Sequence, residues 1–258
     1  TSFDDKLLLR LMFAIFRKEI SGFFSSLTGY IVITVYLLVN SLFMWIFPGE
    51  WNIFDNGYAG LDTLFLLSPW IFLFLVPAVT MRMIAEEKRL GTIELIFSRP
   101  ITERGIIWGK YLASVVLVLL ALLPGVIYYI SVYSLGEVQG NLDIGGTIGA
   151  YTGLFFLASV YASIGIFASS ITDNQVIAFV TALFLCFILF MGFDSLAYLP
   201  GLKNFDEYII RLGINEHYKS MSRGVLDIRD AVYFISVVII FNESTRMVLL
   251  SSNCKKKN

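Results

Sequence analysis

Four consecutive charges, Glu86, Glu87, Lys88 and Arg89, lead through Leu90 into Gly91-Thr92-Ile93-Glu94-Leu95-Ile96-Phe97. Gly91 or Thr92 can cap a short helix, Glu94 suits the positive first turn of that helix, and Pro100 fits its end. Ile93, Ile96 and Phe97 then form an apolar edge at helical spacing. A short helix that is apolar on one side and charged where it begins can dock into the groove of a soluble partner. The same residues also read as a merely charged loop beside a membrane. In either reading their chemistry is recognition, not bond-making.

Catalytic apparatus is hard to find elsewhere. A membrane-embedded enzyme needs a nucleophile beside a base, or a metal cluster, at membrane depth. The sole histidine, His217, falls in a connecting segment, and neither H-E-x-x-H nor G-x-S-x-G occurs. The nearest approach to a phosphate-binding loop, Gly105-Ile-Ile-Trp-Gly109-Lys110-Tyr111, is one residue short and lacks the hydroxyl that would hold magnesium. No catalytic, cofactor-binding or metal-binding residue is assigned, and ATP chemistry is expected in another polypeptide. Cys186 and Cys254 are distant from each other and differently placed, so no disulfide framework or metal quartet is read. A net charge of −1 provides no basic field for nucleic acid.

The elements that must position the charged loop follow from composition. Hydrophobic residues make up 57% of the 258 and charged residues 15%, against roughly 25% in a soluble domain. Apolar runs repeatedly reach the roughly 20 residues that cross a bilayer's hydrocarbon core. Six read as spans, at 28–47, 64–83, 106–133, 146–169, 175–193 and 231–250. They lack the alternation of barrel strands, so each must satisfy its own backbone as a helix. The expected fold is an all-α polytopic membrane protein, a single transmembrane domain over 1–258. Within it, 1–27 is an N-terminal extension with an amphipathic interfacial helix, 84–104 the coupling loop, 194–230 an outer segment and 251–258 a tail.

Lys6, Arg10, Arg17 and Lys18 precede the first span. Arg82, Lys88, Arg89, Arg99, Arg104 and Lys110 surround the second connection, whereas 48–63 and 134–145 carry no Lys or Arg. The positive-inside rule therefore puts the N-terminus, the 84–104 loop and the C-terminal Lys255, Lys256 and Lys257 in the cytoplasm. The 194–230 segment conflicts with that rule, because it holds Lys203, Arg211, Lys219, Arg223 and Arg229 yet must lie outside if all six spans stand.

Smaller features complete the pattern. The chain opens without Met and its coherent pattern starts at Met12, so a processed start is expected and no cleavable signal peptide is read. Between Leu9 and Leu27, Arg10, Arg17, Lys18 and Ser21 fall near one helical face and Phe13, Phe16, Ile20, Phe23 and Phe24 lie mostly opposite. That stripe suits a helix in the membrane interface, broken from span one at Ser25, Ser26 and Gly29. Pro124 should kink span three. Gly145, Gly149, Gly153, Ala158, Ala162, Gly165 and Ser169 line span four, with packing inside the bundle preferred to a subunit interface. Glu243 and Arg246 stand three apart in span six, where they can pair. Pro200, Gly201 and Gly213 divide the outer segment, and 205–212 reads as a short amphipathic helix.

With these residues in view the chain resembles the ABC-2 family of transporter permeases, and within it the gliding-motility-associated permeases of Bacteroidetes. The likeness runs from about Met12 to Ile240 and is carried by MFAIFRKEISGFFSS, SPWIFLFLVPAVTMR, EEKRLGTIELIFSRPI with WGKYLA, GNLDIG, SSITDNQVIAF and INEHYKSMSRGVLDIRDAVYF. After Phe241 the sequence departs from that pattern. The resemblance implies a type V exporter-like fold of six helices in the bacterial inner membrane. It also implies a second permease chain, as homodimer or paralogous heterodimer, and a cytoplasmic coupling helix touching a separate ABC ATPase that binds ATP and Mg. Carried over, Glu86, Glu87, Gly91, Thr92, Glu94 and Leu95 fall on that coupling region, within a wider docking segment that includes Lys88, Arg89, Ile93, Ile96 and Phe97. The 194–230 segment falls on outer re-entrant helices.

The leading expectation is a permease driven by a partner's ATP hydrolysis, with a mechanotransmission subunit and a membrane-embedded enzyme as the alternatives. Spans nearly free of charge favour a lipid, lipid-linked or amphipathic polypeptide cargo over a small ion. The charge asymmetry makes a direct prediction. In intact cells an impermeant thiol reagent should label a single cysteine at position 56 and spare one at position 88. The reverse pattern would invert the topology.

Overall fold

The computed structural model describes residues 2–98, 101–136, 142–197, 206–225 and 227–257, with side chains from Arg10 to Ser251. Arg99, Pro100, Gly140, Asn141, Pro200, Gly201 and Lys203 lie outside the described residues. Within them all regular structure is helical: α1 (Ser2–Ser25), α2 (Leu27–Ser41), α3 (Ile53–Asn56), α4 (Asp62–Thr80), α5 (Arg82–Arg89), α6 (Thr92–Phe97), α7 (Glu103–Leu122), α8 (Val126–Leu135), α9 (Ile144–Ile171), α10 (Gln175–Phe187), α11 (Phe193–Ala197), α12 (Asp206–Arg211), α13 (Ile214–Ser222) and α14 (Ile228–Lys257). Six continuous stretches are long and apolar enough to cross a membrane: Leu27–Ile46, Asp62–Arg89, Glu103–Leu135, Ile144–Ile171, Gln175–Ala197 and Ile228–Ser251. The second runs past its expected end at 83, because the charged residues that should stop it continue the helix as α5. The last also continues, α14 reaching Lys257, so the departure after Phe241 does not end the helix.

Helix α9 is the axis of the bundle and is buried over most of its length. Its small residues explain why. A Cβ on Gly149 would stand 2.6 Å from the Met221 carbonyl, and one on Gly165 would stand 1.9 Å from Thr80 Oγ1. Without a hydrophobic drive between helices in lipid, such close approach is what holds neighbours together. The glycine stripe therefore packs inside the bundle, as the sequence favours.

Ser169 fixes the joint between α4 and α5. Its hydroxyl donates to the Met81 carbonyl at 2.8 Å and accepts from the backbone N–H groups of Ile84 at 3.0 Å and Ala85 at 2.9 Å. At the opposite end of the bundle, α13 tucks beside the start of α9, and Tyr218 donates to the Phe65 carbonyl at 2.6 Å. Gly224, at φ +84°, closes against Gly145 and Gly146. The described part of the basic 194–230 segment thus shares an end with 48–61 and Asp143, away from α5 and α6. Carboxylates there meet some of its cations, Lys219 with Asp194 at 3.5 Å and Arg211 with Glu207 at 2.6 Å. The expected kink at Pro124 is a 3-10 turn, Leu123–Gly125, joining α7 to α8. Among the described residues two π-helical turns, Leu42–Ile46 and Ile188–Gly192, lie at this same end.

Ser169→Ala should leave two buried N–H groups and one carbonyl short of a partner. It should lower stability in detergent by about 1 to 3 kcal/mol, measured by chemical denaturation of the purified chain. A midpoint equal to wild type would show that α5 does not depend on this hydroxyl.

Candidate functional site

At the end carrying the 84–104 loop, α1 crosses the start of α7 at Gly109, where a Cβ would sit 3.0 Å from the Met12 carbonyl and 3.2 Å from Ile15 Cγ2. The absent side chain lets the two backbones close, and this brings the next residue, Lys110, beneath α1. Lys110 is 1% exposed, with its ammonium 2.7 Å from Glu19 Oε1, 2.9 Å from Glu87 Oε1 and 2.7 Å from the Met83 carbonyl. Lys18 adds a second cation, 2.8 Å from the same Glu87 oxygen. Two cations and two carboxylates from α1, α5 and α7 therefore form one neutral network. An ammonium taken out of water demands such partners, because an unpaired buried charge costs several kcal/mol.

Other contacts tighten the same corner. The Arg82 guanidinium stacks over the Phe23 ring at 4.9 Å, beside the Ser26 break between α1 and α2. A Cβ on Gly29 would stand 3.0 Å from the Phe23 carbonyl oxygen. Lys88 donates to the Ser170 carbonyl of α9, and Glu243 of α14 lies 2.9 Å from Arg104 of α7 and 3.3 Å from Arg246. Partial burial lowers the Lys18 pKa, but the hydrogen bond and charge of Glu87, with the charge of Glu19, outweigh it and leave the net shift upward. A raised lysine pKa contributes stability that is complete below the ordinary value of 10.5 and fades as pH climbs above it.

The expected docking residues divide into two faces. Glu87 is buried in the network, Glu86 and Lys88 are half-buried, and Thr92 Oγ1 lies 3.4 Å from the Glu87 carbonyl. Residues 86–97 are not one helix, as a coupling helix over that range would be. Gly91 adopts φ +68°, a conformation that disfavours any side chain, and it separates α5 from α6. The expected apolar edge also turns inward. Ile93 and Phe97 pack against the core, and Ile96 lines a groove with Leu11 and Ile15 of α1. What faces outward is Arg89, Leu90, Gly91, Glu94, Leu95 and Ser98. Leu90 is 62% and Leu95 68% exposed.

Sequence reading missed Glu19 and treated Lys18 and Lys110 only as markers of sidedness. The signal was present in Lys110, a cation four residues into an apolar run and next to a glycine. At the far end His217 is a brace. Its Nδ1 lies 2.7 Å from Asp230 Oδ1, its Nε2 2.9 Å from the Arg211 carbonyl, and its ring stacks on Tyr233.

Membrane-length helices around a buried axis, with a charged corner at one end presenting a small outward face, describe an all-helical polytopic membrane protein. The family model for ABC-2 family transporter proteins matches residues 11–225, which include both this corner and the outer helices. The chain belongs to that family. Comparison with curated proteins finds no match. Membership makes it a multi-pass permease subunit that works with an ABC ATPase, with ATP hydrolysis residing in that separate protein.

Lys110→Met should leave Glu19 and Glu87 facing each other without their buried counter-ion, at a cost of about 3 kcal/mol. Adding Glu87→Gln to the same variant should recover part of that loss. Denaturation midpoints of the single and double variants check this, and strictly additive losses would mean the network is not coupled.

Proposed function

We propose that this chain is the membrane-spanning permease subunit of an ATP-driven transporter, with its partner ATPase seated on the outward face of α5 and α6. The observation that carries the reading is mechanical. The docking segment is tied by Glu87 to both α1 and α7 and by Ser169 to the central α9. Glu94 and Leu95 remain exposed beyond it. A force applied there is delivered to the bundle and not lost in a loose loop. In this reading the 84–104 segment and both termini are cytoplasmic, the membrane is the bacterial inner membrane, and a second permease chain completes the translocation path. Cargo is a lipid-linked molecule or a polypeptide, and the resemblance to gliding-motility-associated permeases supports a role linked to gliding. The small outer mass of α11, α12 and α13 favours transport over relay of motion to an external machine.

Three variants test the docking face. Gly91→Pro replaces a φ of +68° by one near −65° and should redirect α6. Leu95→Asp removes an exposed apolar contact. Glu94→Lys places a cation in the positive first turn, at a local cost of about 0.3 to 1 kcal/mol. All three should reach normal membrane levels, recover less ATPase on co-purification and lose partner-dependent ATP hydrolysis, while the chain alone shows background turnover. Wild-type assembly and hydrolysis in all three would remove the coupling assignment.

A further inference from the structure

At the end remote from α5 and α6, a cavity of about 690 Å³ opens between the start of α4, the π-helical turn Ile188–Gly192 and α13. Its inner wall is apolar, built from Phe65, Leu66, Trp70, Phe190 and Met191. Trp70 meets the Phe190 ring edge-on at 5.8 Å. Leu66 is 61% and Trp70 37% exposed, so the wall opens sideways onto the lipid-facing surface. From Asp62 to Trp70 the helix rises about 12 Å, which is the depth of a lipid headgroup and its first acyl carbons. π-Helical turns recur at functional sites, and one of the two in this chain forms part of this wall.

The mouth carries charges of both signs. Lys219 and Asp194 are committed to each other at 3.5 Å, and Asn215 donates to Asp194 Oδ2 at 2.6 Å. The other oxygen, Asp194 Oδ1, is buried without a hydrogen-bond partner. Arg223 and Asp62 both border this cavity and a neighbouring one of about 490 Å³. Among the described residues neither forms an ion pair, with each other or with any other side chain. An uncommitted guanidinium and an uncommitted carboxylate, both exposed at the mouth above an apolar wall, match an amphiphile whose head carries a phosphate and an ammonium. An anionic lipid would leave Asp62 unmet, and a cationic one would leave Arg223 unmet. Guanidinium groups pair with phosphate oxygens through charge-assisted hydrogen bonds, and a primary ammonium can donate to the exposed carboxylate of Asp62.

We propose that this cleft binds one zwitterionic phospholipid from the adjoining leaflet, its phosphate on Arg223, its ammonium on Asp62, and its upper acyl chain along Leu66 and Trp70. The site is independent of how the ATPase docks. Occupancy is read without nucleotide, so its failure leaves the coupling reading untouched.

The test uses the full chain in nanodiscs of phosphatidylethanolamine, phosphatidylglycerol or both, transferred to detergent and analysed by native mass spectrometry. The wild-type chain should retain one phosphatidylethanolamine in preference to phosphatidylglycerol. Arg223→Gln should reduce retention of either lipid roughly tenfold, the share of one charge-assisted contact, whereas Asp62→Asn should reduce only that of phosphatidylethanolamine. Arg229→Gln, outside the cleft, serves as the control and should match wild type. Arg223→Lys should restore part of the binding, which separates lost contact from lost folding. Equal retention by wild type and both cleft variants would overturn the proposal. So would retention of diacylglycerol, which lacks both head charges, or displacement of the lipid by millimolar inorganic phosphate, which would mark an ion site instead.

Discussion

A single buried ammonium organises the end of this protein that carries α5 and α6. Lys110 stands within a membrane-length helix with almost none of its surface in water, and its charge can persist there only if carboxylates come to it. Glu19 arrives from α1 and Glu87 from α5, and the Met83 carbonyl takes the remaining direction. Three helices that are distant in sequence are thereby held at one point. The close contact at Gly109 is the steric condition for this, because a side chain there would lift α1 away from the cation that recruits it.

The same logic runs along α9. Small residues admit neighbours to van der Waals contact, and the hydroxyl of Ser169 then fills the joint where α4 gives way to α5. Asp62–Arg89 is nearly one helix with a single interruption at Met81, and Thr80 and Ser169 sit on either side of it. Gly165 leaves no room between Thr80 and α9, so the joint is held against the central helix. Packed interfaces of this kind have discrete arrangements and do not deform smoothly.

Much of this was legible in the sequence, and the reason is the solvent. Lipid allows backbone no external partner, so six apolar runs had to be six helices, and their extents followed from bilayer thickness. The break at Ser26 and the cap-rich segment around Gly91 were likewise written in local chemistry. The orientation of α6 was not. Ile93, Ile96 and Phe97 define an edge, but a helix of two turns carries no sign of whether that edge faces a partner or its own bundle; the answer depended on Leu11 and Ile15, about eighty residues away. The Lys110 network was concealed for a similar reason. Lysine near a span end is explained adequately by sidedness alone, and nothing local announces that Glu19 lies within hydrogen-bond reach across 91 residues of chain.

The two ends of the bundle are joined by the helix that runs between them. Asp62 opens it at the lip of the outer cleft, and Glu87 closes it inside the charge network. A tilt of α5 about Met81 is resisted locally by Ser169, in the last turn of α9, and by Lys88, which donates to the Ser170 carbonyl of the same turn. While those bonds hold, a displacement of α5 carries the last turn of α9 with it. At its other end α9 holds Met221 and Gly224 through glycine contacts too close to slip independently. The packing therefore runs unbroken from the charged corner, through Ser169 and Lys88 and along α9, to Met221 and Gly224 on either side of Arg223 at the cleft mouth.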